Sequence, residues 1–190
     1  AYTNTDLAYG PLAARGLGAQ YQINAYSGLG MVRHYDGNTA FEPFVSYYER
    51  TLQSAADSSW DFDAWQPDVV VLSLGRNDFS TPLGANDSGR FATRADLLSA
   101  YKDEYRAFLA MLRVRYPGVQ IVNAASNLWP DDEYRPAVMA LMAEEAAAGH
   151  ADLHFFDFYD PGGFGCGWHP DMETQEAAAE GLIRVIQGLL

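Results

Sequence analysis

Between Ala95 and Tyr116 the apolar side chains Leu97, Leu98, Tyr101, Tyr105, Phe108, Leu109 and Leu112 recur every three or four residues. That is the period of a helix with one buried face, and Pro117-Gly118 stops it. Val69-Val70-Val71-Leu72 follows a different rule, a short apolar and mostly β-branched run with no polar break. Such a run predicts a strand covered on both faces, as in a parallel sheet flanked by helices. Val119 to Val122 and Leu153 to Phe158 predict two further strands, and Gln20 to Ala25 alternates like a fourth. Helices are predicted over Asp6 to Leu17, Glu133 to Ala148 and Glu173 to Leu189, with a short one inside Phe41 to Leu52. Tyr26 to about Asn38 reads as a polar, glycine-bearing loop.

Helices alternating with strands predict an α/β chain, a three-layer α/β/α sandwich around a mostly parallel sheet. No linker, repeat or low-complexity tract divides it, so residues 1–190 are expected to form a single domain. In sheets of this kind ligands gather beyond the carboxyl ends of the strands. Three such ends are rich in glycine and polar residues: Tyr26 to Gly30, Ser73 to Asp78, and Gly162 to Pro170.

Charge narrows the choice of ligand. The 190 residues carry 12 Lys and Arg against 25 Asp and Glu, a formal net charge of −13. A surface that negative repels phosphate backbones and anionic lipid heads, which argues against nucleic-acid or membrane-surface partners. Neutral substrates such as glycans and small esters remain. Cys166 is the only cysteine, so no disulfide forms within the chain. No apolar run approaches the roughly 20 residues of a membrane span.

The three strand ends carry the candidate chemistry. Asn77, in Leu74-Gly75-Arg76-Asn77-Asp78, offers a neutral amide donor at the sheet edge, suited to an oxyanion. The blander reading makes Asn77 and Asp78 turn formers after a buried strand. Gly28 and Gly30 could present backbone N–H groups to the same cleft, or simply make a glycine turn. His169 stands in Gly165-Cys166-Gly167-Trp168-His169-Pro170-Asp171, where a glycine-rich loop enters the last helix. A histidine there is badly placed for core packing and well placed for general-base work; the alternative is an exposed residue capping the helix. His34, His150 and His154 have weaker claims.

Taken together, the order and spacing of these blocks resemble the SGNH (GDSL-like) hydrolase superfamily, and within it carbohydrate esterase family 2, typified by acetylxylan esterases. The resemblance rests on Ile23 to Asn38 (INAYSGLGMVRHYDGN), Pro67 to Asp78 (PDVVVLSLGRND) and Gly165 to Asp171 (GCGWHPD), with Leu7 to Gln20 similar to the helix before the glycine block. It implies a flavodoxin-like sheet and a serine esterase that removes O-acetyl groups from carbohydrate through an acyl-enzyme, without cofactors. It also implies that Gly28, or Gly30 if the register slips by two, and Asn77 form the oxyanion hole, with His169 as general base. Trp168 would line the pocket against a sugar ring, or merely pack. The family's habit of acting on extracellular polysaccharide further implies a secreted protein, and the single lysine, Lys102, with abundant alanine points to a GC-rich bacterial genome.

The chain departs from the family pattern twice. The Gly-Asp-Ser block that supplies the nucleophile is absent, and the residues begin where the family is already entering its first helix. The serine and its strand are therefore expected upstream of residue 1, on a missing N-terminal segment or a complementary chain. Ser27 is the best internal substitute, ahead of Ser73, Ser80 and Ser88. The second departure is the acid. Cys166 stands where many members carry aspartate three residues before the histidine, so a backbone carbonyl from Gly162 to Gly167 is expected to hold the imidazole, with Asp160 and Asp171 as the carboxylate alternatives. The rival readings are a lipase or thioesterase on small acyl esters, and a glycan-binding pseudoenzyme without a serine.

Overall fold

The computed structural model describes residues 4–38, 42–87, 89–128, 131–158, 165, 167 and 169–190. Its centre is a parallel sheet of β1 (Val69–Leu72), β2 (Gln120–Ala125) and β3 (Leu153–Asp157), in that order. The register sets Val71 beside Val122, and Val122 beside His154.

Because side chains alternate across a strand, β2 feeds two separate cores. Ile121 and Ala125 face α4 (Arg94–Arg115) and α5 (Tyr134–Ala147), packing with Tyr101, Leu109 and Leu141. Val122 and Ala124 face α1 (Tyr9–Leu17) and α6 (Met172–Gln187), packing with Ala13, Ala178 and Leu182. The result is the three-layer α/β/α sandwich expected from the pattern. Small residues bring α1 and α6 close together, and a Cβ on Gly16 would lie 2.6 Å from Ile183 Cδ1.

The helix boundaries follow local chemistry. Thr93 and Asp96 close a capping box at the start of α4, and the Asp171 carboxylate accepts from the Thr174 N–H at the start of α6. The predicted helix over Asp6 to Leu17 is broken. Thr5–Leu7 forms a 3-10 turn, Ala8 is extended, and α1 begins at Tyr9. Pro11 explains the break, since its ring excludes the carbonyl four residues earlier and it has no N–H to give. Near Phe41–Leu52 the helix is the single turn α2 (Phe44–Tyr48). Phe44 and Tyr48 set their rings edge-on to Phe108 of α4.

Two expectations need correction. Gln20 to Ala25 is not a strand; it is an exposed irregular run, with Tyr21 and Ile23 each 41% accessible. Alternation stabilises a strand only when a neighbour completes the ladder, and no described strand pairs with this segment. Nor is β1 buried throughout. Val69, Val70 and Val71 are half-buried and Ser73 is exposed, because β2 is the one strand beside β1 among the described residues.

Candidate active site

The glycine loop and the β1 end are joined by hydrogen bonds around one buried carboxylate. Gly75 adopts φ +133°, and a Cβ there would lie 2.5 Å from the Tyr101 hydroxyl. That conformation turns the chain into the short helix α3 (Arg76–Phe79). Asp78, fully buried, accepts from the Met31 N–H on Oδ2 at 2.9 Å, and from the Val32 and Arg33 N–H groups on Oδ1 at 2.8 and 2.9 Å. Burial pushes the Asp78 carboxyl above its ordinary pKa, while the three N–H donors favour the ionised form. A Cβ at Gly30 would run into the Arg33 carbonyl and the Asp78 carboxylate, so glycine is needed for close approach.

A second buried charge locks the far side of the loop. Arg33, 1% accessible, donates from Nε to Asp87 Oδ1 at 2.6 Å, and from Nη1 to Thr81 Oγ1 at 2.9 Å. Its guanidinium holds the Asp87 carboxyl below the usual carboxylate range. His34 is buried and accepts the Gly30 N–H on Nδ1 at 3.2 Å, which makes it a loop strut.

The predicted oxyanion donors now have positions. Asn77 Nδ2 donates to the Leu29 carbonyl at 2.7 Å, which brings α3 onto the glycine loop one residue beyond Gly28. An amide NH2 carries two hydrogens; one fixes the loop, and among the described residues the other meets no acceptor. Gly28 has φ +82°, and its carbonyl accepts from Tyr35. The alternative donor, Gly30, spends its N–H on His34.

His169 lies on the loop between β3 and α6, exposed, with Nδ1 3.0 Å from the Gly167 carbonyl. A carbonyl can only accept, so Nδ1 carries the proton and Nε2 keeps the basic lone pair. Gly167, at φ +66°, takes a left-handed turn that aims its carbonyl back at the ring. Among the described residues no carboxylate pairs with this imidazole, and the Asp171 carboxylate is occupied in capping α6. Among the described residues the hydrogen bonds of His169 stay within its own loop, through Gly167 and the Gly165 N–H. Trp168, Cys166, Asp160 and Ser88 lie outside the described residues.

Sequence reasoning missed Asp78 and the Arg33–Asp87 pair. It treated Asp78 as a turn former and passed over Arg33. A signal was present in both cases: Arg33 follows the apolar Leu29 to Val32 region, and Asp78 completes the Asn77-Asp78 step just past the end of β1.

A profile of the GDSL-like lipase/acylhydrolase family matches residues 2–182. The chain belongs to this family. As a GDSL-like hydrolase it is 34% identical, over 97% of its length, to an acetylxylan esterase/glucomannan deacetylase of Cellvibrio japonicus, of which it covers 50%. It is 30% identical to the cellulase/esterase CelE of Acetivibrio thermocellus, covering 98% of this chain and 22% of that protein. The chain thus spans half or less of these curated relatives. Among solved structures, a carbohydrate esterase with divergent catalytic and non-catalytic binding functions superposes with a TM-score of 0.90 at 34% identity, over 97% of this chain and 58% of that one. A family 2 carbohydrate esterase from Clostridium thermocellum, in complex with cellohexaose, superposes at 0.83 with 29% identity, over 98% and 55% of the two chains. Within the GDSL-like hydrolases the chain is therefore similar to carbohydrate esterase family 2.

Proposed function

We propose that this chain supplies most of the active site of a serine esterase that removes O-acetyl groups from a glycan. In this reading His169 Nε2 takes the proton of a serine hydroxyl as the serine oxygen attacks the acetyl carbonyl. The Gly28 N–H and the second Asn77 N–H receive the negative charge that forms on the carbonyl oxygen. The C–O bond to the sugar then breaks, and His169 returns its proton to the departing hydroxyl. Water, deprotonated by the same nitrogen, cleaves the acetyl-enzyme to acetate and regenerates the serine. The Gly167 carbonyl replaces the usual carboxylate by holding the ring in the tautomer this cycle requires. The observation that supports the reading is the hydrogen bond from Asn77 to the Leu29 carbonyl, which holds the amide against the glycine loop.

The nucleophile is assigned to a segment preceding residue 1, as part of the same proposal. Two features support it. The outer edge of β1 pairs with no described strand, and the irregular run at residues 19–26 leaves Tyr21 and Ile23 exposed. A strand lying between them would complete both and deliver a serine to the carboxyl edge. Acetylated xylan, acetylated manno-oligosaccharides and 4-nitrophenyl acetate test the activity on the full-length polypeptide. Labelling with a fluorophosphonate, followed by peptide mapping, tests the nucleophile. Label on a serine upstream of Ala1 is the expected result; label on Ser27 or Ser73, or an unlabelled inactive protein, refutes the assignment.

A further inference from the structure

We infer that Arg76 is a specificity residue of this site, receiving the carboxylate of a uronic acid on the substrate glycan. The inference rests on the esterase reading above and extends it to the class of sugar chain. Arg76 opens α3, one residue before Asn77, just past the carboxyl end of β1. Its Nη1 donates to Ser126 Oγ at 2.7 Å, and Ser126, 3% accessible, follows the end of β2. The guanidinium therefore reaches along the ligand-binding edge of the sheet from one strand end to the next.

Among the described residues its charge is unanswered. Arg76 is half-buried, and among the described residues it meets no carboxylate. Every other described lysine or arginine is either paired with a carboxylate or exposed. Scarcity of acids does not explain this, because the chain holds 25 acidic against 12 basic residues. A partly desolvated guanidinium bonded to one neutral hydroxyl keeps most of its five N–H donors unfilled. The group that fills such a fork with the best geometry is a carboxylate, held by two parallel hydrogen bonds. The remaining surface limits how many charges the ligand can bring. A net charge of −13 repels a polyanion, whereas a mostly neutral glycan with a single carboxylate meets little of that repulsion and finds a matching fork at Arg76.

Calorimetric titration of the full-length protein with matched neutral and glucuronate-bearing xylo-oligosaccharides tests the inference without relying on turnover. The native protein is expected to bind the acidic oligosaccharide about tenfold more tightly, a preference that shrinks as salt is raised. Arg76→Gln should erase the preference. Arg76→Lys should reduce it, because the charge survives without the fork, and it carries the test if the Gln variant does not fold. Absence of a preference in the native protein overturns the inference, as does an equal loss of both oligosaccharides in either variant. Acetate release, measured in parallel, separates the two proposals. Arg76-dependent binding without acetate release leaves this inference standing and removes the esterase reading; acetate release with no acidic preference does the reverse.

Discussion

Replacing Asp78 with alanine is expected to loosen the whole glycine loop. The carboxylate accepts three backbone N–H groups, from Met31, Val32 and Arg33. Val32 is half-buried and its N–H can turn to water, but Met31 and Arg33 are buried to 0% and 1% accessibility. Each N–H left buried without an acceptor costs about 1–3 kcal/mol, so the two together give about 2–6 kcal/mol. Against this, alanine no longer holds a carboxylate away from water, which returns part of the loss. The balance is a destabilisation of about 2–4 kcal/mol, a large share of the roughly 5–15 kcal/mol that holds a domain together. Asparagine should do less harm. With its oxygen in place of Oδ1 it keeps Val32 and Arg33 and strands only the Met31 N–H, at about 1–3 kcal/mol. Urea unfolding followed by circular dichroism measures both, and an unchanged m-value would show that the shift in midpoint reflects stability. The reasoning fails if both variants fall within about 0.5 kcal/mol of the native protein, the range of ordinary surface substitutions, or if asparagine is worse than alanine.

Four other outcomes follow from the site. His169→Ala should lower kcat on acetyl esters by about 10²–10⁴, with far-ultraviolet dichroism unchanged because the ring is exposed. Asn77→Ala should lower kcat by about 10²–10³ if its second hydrogen faces an oxyanion, and should also cost stability through the lost bond to Leu29; wild-type kcat in a folded variant refutes its role. Gly30→Ala should destabilise by at least about 1–3 kcal/mol, since the added methyl meets the Arg33 carbonyl and Asp78. Arg33 depresses the pKa of Asp87 in the folded state, so this pair contributes its full stability above the unfolded value near 3.9. The contribution is lost as pH falls through the lower folded value. The stability gap between native protein and Asp87→Asn should thus be widest above about pH 4 and close in acid; a gap that does not change with pH refutes the assignment.

The layers of this protein were legible in its sequence because they depend on local periods. The heptad-like apolar stripe of α4, the β-branched run of β1 and the glycines ending helices each constrain a few consecutive residues, and a few consecutive residues suffice to read them. His169 and Asn77 were picked out as candidates in the same way, from flanking glycines that mark strand ends in one stretch of chain. Other features depend on partners far away in sequence. Whether Gln20 to Ala25 becomes a strand is decided by what lies beside it, and no alternation within the segment can report that. Asp78 looks like a turn residue until Met31, Val32 and Arg33, some 45–47 residues earlier, turn their N–H groups onto it. The fate of the Gly30 N–H was likewise hidden in the sequence; it shows only when His34 folds back and takes it up. Hydrophobic pattern is written along the chain, whereas the satisfaction of a buried charge or a backbone donor is a property of the packed structure alone.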